Sequence, residues 1–155
     1  MYEAYWGLQR KPFENTSDAQ FYYPSETHQA ALLKLRYVVE NGRQAAALTG
    51  ASGLGKSVIV HSLLRMLPDE IAVRVHVVFP QMPADQLLAY IASELTGEKS
   101  SRELPTIEDS VRRLQYALQD NVRAGRRSVV VVDESHLIND MKAFDTLRLL
   151  LNFET

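Results

Sequence analysis

The segment GASGLGKS, residues 50–57, places three glycines, a lysine and two serines shortly after the apolar residues AAAL. Glycine loses more backbone freedom on folding than any other residue, so its repeated use here needs a reason. The spacing fits G-x-x-x-x-G-K-[ST], in which backbone N–H groups and the start of the next helix surround a phosphate. The sequence therefore predicts a phosphate-binding loop.

Two side chains in this segment carry chemistry of their own. Lys56 supplies a positive charge for the β- and γ-phosphates of a nucleotide, and the Ser57 hydroxyl is a ligand for Mg²⁺. The alternative is a glycine-rich turn with an exposed lysine, but an apolar strand before the motif and a helix after it favour phosphate binding. The predicted nucleotide contacts are Gly50, Ala51, Ser52, Gly53, Leu54, Gly55, Lys56, Ser57 and Val58.

A second cluster, DES, follows the apolar run SVVVV. Asp133 ends this predicted strand, where an acid can orient Mg²⁺. Glu134 comes next, and its carboxylate can take a proton from a water that attacks the γ-phosphate. A solvated strand end is the alternative. Because the pair suits water as the nucleophile, we predict hydrolysis, with Glu134 and Lys56 as catalytic residues and Asp133 and Ser57 as metal ligands.

Other polar residues give weaker indications. The histidines lack metal-ligand spacing, so surface or packing roles are predicted for His28, His61, His76 and His136. His136 lies two residues after Glu134, and contact with the γ-phosphate is its alternative role. Gln81 follows a predicted strand and is interpreted as a turn residue. The cluster of Arg123, Arg126 and Arg127 is explained by the C-terminus of a helix, where cations are favoured.

Apolar periodicity alternates between strands and helices, which predicts an α/β fold with a mainly parallel sheet. Ligands bind such sheets at the carboxyl ends of the strands, so both polar clusters are expected on the same sheet edge. In the first long helix, which Ser25 caps, Ala30, Leu33, Tyr37 and Val38 recur at helical spacing. The predicted strands are 45–50, 72–79 and 128–134, and the predicted helices are 26–42, 56–67, 84–97, 106–125 and 143–153.

Composition limits the class of protein. The chain has 155 residues, of which 46% are hydrophobic and 23% charged, as in soluble globular domains. It has no cysteine, which excludes disulfides and zinc-thiolate sites. A net charge of -2 gives no overall basic footprint for nucleic acid. The start lacks a secretory signal, and no apolar run reaches membrane-spanning length. These features predict a cytoplasmic location.

The first 24 residues are rich in aromatic side chains, including Trp6, Phe13, Phe21, Tyr22 and Tyr23. So many large rings favour a segment packed against the rest of the protein. We therefore predict an aromatic leader, residues 1–24, and a domain comprising residues 25–155.

Together, GASGLGKS, VVVVDESH and the leader YWGLQRKPFENTSDAQFYYPSETHQAAL resemble the AAA+ ATPases of the general secretion pathway protein A (ExeA-type) family. The first two, the Walker A and Walker B motifs, are shared by a whole superfamily, whereas the leader is more specific. The resemblance implies a P-loop NTPase three-layer sandwich, with ATP and Mg²⁺ as cofactors. It also implies a homo-oligomeric ATPase that serves secretion or pilus assembly.

The family resemblance has consequences for the leader and for the chain end. In AAA+ relatives the segment before the first helix walls the adenine, which here points to Phe13, Phe21, Tyr22 and Tyr23. The chain ends before the family's sensor strand, arginine finger and lid, and before its membrane span and cell-wall-binding region. The resemblance thus implies an AAA+ domain truncated at its C-terminus, from a longer protein anchored to the inner membrane.

The absent strand would insert between the phosphate-loop strand and the acidic strand. We therefore expect the 155 residues alone to be marginally stable and inactive in hydrolysis. Two alternative functions stay open at this point. One is an ATP-dependent, DNA-binding regulator of transposition, and the other is a nucleotide-binding fragment without turnover.

Overall fold

A computed structural model describes residues 2–9, 11, 22–68, 72–97 and 105–152. The chain divides into two compact units, Met1–Met66 and Leu67–Thr155. The boundaries predicted for the leader and the domain, 1–24 and 25–155, stay predictions.

In the described residues of the first unit, the regular secondary structure is helical. It contains α1 (Tyr2–Trp6), α2 (Glu26–Glu40) and α3 (Lys56–Met66). The Ser25 hydroxyl accepts a hydrogen bond from the His28 N–H, and Asn41 follows the last residue of α2 as its C-cap, which confirms the predicted helix. Helices α2 and α3 pack against each other, and the buried apolar side chains of the unit are Leu32, Ile59 and Leu63.

The packed face of α2 differs from the predicted one. Leu33 is 63% exposed and Tyr37 is 56% exposed, whereas Leu32 is buried. Leu32 continues a stripe of partly buried side chains at spacings of three or four residues, formed by His28, Leu35 and Val39. Periodicity alone could not separate two adjacent apolar stripes, because leucines occupy both positions 32 and 33.

The strand predicted at 45–50 is wrong for this structure. These residues adopt no strand conformation, and Ala45, Ala46 and Ala47 are exposed. A strand is stable only when its N–H and C=O groups bond to a neighbour. In the described part of the chain, the sheet consists of two other strands that pair with each other. The expectation that both polar clusters share one sheet edge rested on this strand and stays a prediction.

The second unit contains a parallel strand pair covered by helices. Its elements are β1 (Ala72–Val77), α4 (Ala84–Thr96), α5 (Ile107–Arg123), β2 (Arg127–Val132), a short 3-10 helix (Ser135–Leu137) and α6 (Met141–Leu150). Strands β1 and β2 run parallel in register from Ala72↔Arg127 to Val77↔Val132. The predicted α/β character and parallel pairing are therefore confirmed for this pair.

The core of the second unit lies between the sheet and α4, α5 and α6. Its buried members are Val75, Val77, Leu87, Leu88, Ile91, Ala92, Leu95, Leu114, Ala117 and Ala143. In β1 the buried Val75 and Val77 alternate with the partly exposed Arg74 and His76, as a half-buried strand requires. An unbroken apolar run such as that of β2 is typical of a strand buried on both faces, but the valines of β2 are only partly buried. Among the described residues β2 has a paired neighbour on one side alone.

Local capping explains where the helices of this unit begin and end. Thr106 caps α5: its hydroxyl accepts from the Asp109 N–H at 3.1 Å and donates to the Asp109 carboxylate at 2.6 Å. The bond from the Thr106 hydroxyl lowers the pKa of Asp109. Helix α4 ends at Gly97, whose φ of 70° is left-handed. These ends agree with the helices predicted at 84–97 and 106–125.

Part of the aromatic leader can be described. Residues 2–6 form α1, where no element was predicted, and Trp6 is 70% exposed. Tyr23 is 78% exposed, whereas Tyr22 is partly buried and stacks on His28. Trp6 and Tyr23 are thus not packed down, and Phe13 and Phe21 lie outside the described residues. None of the helices in the described ranges is both long and apolar enough to cross a membrane.

Candidate functional site

The glycine-rich loop adopts a conformation that its glycines make accessible. Gly53 and Gly55 have φ angles of +80° and +75°, which side chains of other residues rarely tolerate. Helix α3 begins directly afterwards at Lys56, and the Gly55 carbonyl accepts the Ile59 N–H at 3.0 Å. The sequence therefore turns the backbone twice within three residues and enters a helix, as a phosphate-binding loop requires.

The Lys56 ammonium lies inside its own loop. Its Nζ donates to the Gly50 carbonyl at 3.1 Å and to the Ala51 carbonyl at 3.0 Å. Each carbonyl oxygen carries a partial negative charge that stabilises the ammonium. A phosphate oxygen carries more charge than a carbonyl oxygen and makes a stronger hydrogen bond with an ammonium. A phosphate in the loop would therefore compete with these two carbonyls for Lys56.

The N-terminus of α3 is the positive end of a helix dipole, and its first turn holds no acidic side chain. Every other α-helix of the described ranges has one there or at its N-cap: Glu3, Glu26, Asp85, Glu108 and Asp109, and Asp140. Unpaired N–H groups at such an end attract an anion. This difference agrees with a phosphate site at the start of α3.

His28 of α2 reaches the same loop. Its Nε2 lies 3.1 Å from the Leu54 carbonyl oxygen, and its Nδ1 lies 3.4 Å from the Tyr23 carbonyl oxygen. The sequence predicts only a surface or packing role for this histidine. Its position on the same helical stripe as Leu32 indicates that its side chain faces the rest of the unit, but no local pattern indicates which loop it contacts.

The acidic pair lies at the carboxyl end of the parallel strands in the second unit. The Asp133 N–H donates to the Val77 carbonyl at 2.9 Å, which extends the ladder past β2 and fixes the backbone there. Asp133 Oδ1 accepts the Glu134 N–H at 2.9 Å, and Oδ2 lies 3.8 Å from His76 Nε2. The Asp133 side chain is therefore held in place at the strand end.

Glu134 has an unusual backbone conformation. Its φ of 49° and ψ of 36° are left-handed. Among the described residues, every other residue with a positive φ is a glycine. Such a conformation costs free energy for a residue with a Cβ, and it is often found at functional sites. The Glu134 carboxylate lies 3.3 Å from His136 Nδ1. His136 thus contacts the carboxylate that we predict to be the catalytic base.

A groove of about 270 Å³ opens at the same end of the second unit. It lies between the loop after β1 and the loop after the 3-10 helix. Its lining is Pro80, Gln81, Met82, Pro83, Leu137, Ile138, Asn139 and Asp140. Gln81, interpreted from sequence as a turn residue, is part of this wall.

Metal binding by protein side chains alone has no support in the described ranges, where no three His, Asp or Glu side chains cluster around a common point. The oxygen donors predicted for Mg²⁺ are Ser57 and Asp133, and hard cations such as Mg²⁺ commonly use one or two protein oxygens together with phosphate and water. The roles of the predicted site residues stay predictions.

Comparison with known proteins identifies the family. The AAA domain family profile matches residues 39–155. Over 161 aligned positions the chain is 35% identical to General secretion pathway protein A of Aeromonas hydrophila. That alignment covers 100% of this chain and 28% of the relative, so the chain spans less than a third of that protein. No solved structure was found to match. The chain belongs to the AAA domain family, and with it to the P-loop NTPase fold.

Proposed function

We propose that this chain binds ATP together with Mg²⁺ through residues 50–58, and that the protein to which it belongs hydrolyses ATP. The observation that carries the proposal is the loop itself. Two left-handed glycines lead into a helix start that has no acidic side chain in its first turn, and the lysine of the motif lies inside the loop. Membership of the AAA domain family supports this proposal.

Each proposed residue has a chemical role that its position allows. Lys56 exchanges two carbonyl partners for the β- and γ-phosphates. The Ser57 hydroxyl and the Asp133 carboxylate hold Mg²⁺, which neutralises phosphate charge when bound. Glu134 accepts a proton from the attacking water, and the hydrogen bond from its N–H to Asp133 ties the two acids together.

The proposed setting is bacterial secretion or pilus assembly, in a homo-oligomeric ATPase with a three-layer sandwich domain. The similarity to a relative named General secretion pathway protein A supports this setting.

Binding is tested with Lys56→Ala in the 155-residue chain, titrated with ATP and Mg²⁺ in a calorimeter. The variant loses charge-assisted hydrogen bonds, so affinity should fall by roughly tenfold to a hundredfold. Lys34→Ala is the matched control, because it removes the same charge from an exposed position of α2 in the same unit. Equal affinity in the wild type and in Lys56→Ala would contradict the proposal.

Hydrolysis is tested with Glu134→Gln in the longer protein. Glutamine has nearly the shape of glutamate but cannot accept the proton, so ATP should still bind while turnover is lost. Asp145→Asn, an exposed acid on α6, serves as the control. Full turnover by Glu134→Gln would remove Glu134 from the role of base.

The adenine site is proposed on the aromatic leader. Tyr23 exposes most of its ring, which leaves a face on which a base can stack. Tyr23→Ala should weaken ATP binding by roughly fivefold and leave the binding of inorganic tripolyphosphate unchanged, because stacking acts on the base alone. Unchanged ATP affinity both in Tyr23→Ala and after deletion of residues 1–20, in chains that still fold, would rule out the leader.

A further inference from the structure

We infer that His28 is a positioning residue for the phosphate loop. Its imidazole fixes the Leu54–Gly55 peptide in the orientation that turns the Gly55 N–H toward the bound phosphate. This inference rests on the proposed function, because it concerns the same phosphate site, but it assigns a role to a residue outside the motif.

The contact joins two segments that are far apart in sequence. His28 Nε2 lies 3.1 Å from the Leu54 carbonyl oxygen, 26 residues along the chain. A carbonyl oxygen only accepts hydrogen bonds, so in this hydrogen bond Nε2 carries the hydrogen. A neutral imidazole has one N–H, so Nδ1, which lies 3.4 Å from the Tyr23 carbonyl oxygen, then makes no hydrogen bond to that oxygen. The plane of the His28 ring is inclined by 29° to the Tyr22 ring, with the ring centroids 6.1 Å apart.

Peptide geometry converts this contact into control of the loop. In a planar trans peptide the C=O and the N–H point in opposite directions. His28 holds the Leu54 carbonyl, so the Gly55 N–H of the same peptide points away from His28. In the opposite orientation the carbonyl would take the place of the N–H and repel an anion.

The residues around this peptide make such a constraint necessary. Gly53 and Gly55, which flank Leu54, both have positive φ, and glycine lets a peptide rotate at little cost. Leu54 is itself 57% exposed, so its side chain does not anchor the turn in a core. His28, by contrast, lies on the packed stripe of α2 beside buried Leu32. A Cβ on Gly55 would lie 3.6 Å from the His28 ring, which shows how closely ring and loop approach.

Two variants of the 155-residue chain test the inference, with inorganic tripolyphosphate as the probe in calorimetric titrations. His28→Phe keeps a flat ring that can stack on Tyr22 but removes the N–H donor, so affinity should fall by about fivefold to tenfold. His28→Gln restores an N–H at nearly the position of Nε2, and its affinity should lie within about threefold of the wild type. Gln29→Phe, at the exposed neighbouring position of α2, is the control and should bind like the wild type.

A second measurement tests the contact without any ligand. Long-range ¹H–¹⁵N spectra of the nucleotide-free chain should show His28 with a hydrogen on Nε2 at neutral pH. A neutral ring with its hydrogen on Nδ1 alone would overturn the inference. So would wild-type affinity in His28→Phe, or equal losses in His28→Phe and His28→Gln, since a general packing role predicts no rescue. If the wild type does not bind tripolyphosphate, the proposed function itself fails, whatever tautomer is found.

Discussion

The left-handed backbone of Glu134 gives a prediction about stability that has an unusual sign. Inside a helix, replacing alanine by glycine lowers the free energy of unfolding by about 1 kcal/mol. At position 134, where φ is 49°, the order should reverse. For a residue with a Cβ, this conformation lowers the free energy of unfolding by roughly 1–2 kcal/mol. Glycine lowers it by about 0.4–1 kcal/mol, because glycine gives the unfolded chain more conformational freedom. Glu134→Gly should therefore be more stable than Glu134→Ala by about 0.5–1 kcal/mol.

In a comparison of these two variants, the effect of losing the Glu134 side chain cancels. Both variants lack the carboxylate and its contact with His136, so they differ in backbone preference. The matched pair is Gln115→Gly and Gln115→Ala, at an exposed position in the middle of α5, where alanine should be favoured. The free energies of unfolding are read from urea denaturation of the four variants. If alanine is equal to or better than glycine at position 134, the backbone there is not left-handed in solution, and the argument from strain is refuted.

Three further predictions concern stability. Ile91→Ala should lower the free energy of unfolding by about 2–5 kcal/mol, because Ile91 is completely buried in the second unit. Leu33→Ala, at an exposed position of α2, should change it by less than about 0.5 kcal/mol. Urea denaturation measures both variants, and similar losses would contradict the core described above. Thr106→Ala should cost about 1 kcal/mol at pH 7 through loss of the α5 cap. The pKa of Asp109 is lowered in the folded state, so the stability that comes from its hydrogen bond with Thr106 is present above the ordinary pKa of an aspartate and is lost as the pH falls. The loss of stability in Thr106→Ala should therefore become smaller from pH 5 to pH 3. A loss that grows over this range would refute the sign. Gly53→Ala should destabilise the chain by about 1 kcal/mol through its positive φ alone, since a Cβ there meets no neighbouring atom within 4 Å, and an unchanged unfolding midpoint would contradict this.

The features that sequence predicted well are those decided within a few residues. The caps at Ser25 and Thr106 and the left-handed end of α4 at Gly97 depend on side chains and φ angles local to each helix end. The glycine-rich loop belongs to the same class, because its spacing dictates both its turns and the start of α3. The strand predicted at 72–79 contains β1, in which Val75 and Val77 alternate with polar neighbours.

The features that sequence missed depend on partners distant in the chain. Residues 45–50 are mostly apolar, as in a short buried strand, but a strand forms only where a neighbour supplies hydrogen bonds. The partial burial of β2 depends in the same way on which strands flank it. The bond from His28 to Leu54 spans 26 positions, and no local pattern indicates it. The positive φ of Glu134 was also unforeseen, because glutamate has no intrinsic preference for it.

The central claim is that the backbone of residues 50–57 is a phosphate site, and amide chemical shifts of the ¹⁵N-labelled chain test it most directly. On addition of ATP and Mg²⁺, the largest shift changes should occur at the N–H groups of Gly53, Gly55, Lys56 and Ser57, because we propose that these groups bond to the phosphates. Inorganic tripolyphosphate should reproduce the changes at these amides. Saturating ATP that leaves them unchanged, or that shifts only amides elsewhere in the chain, would contradict the account.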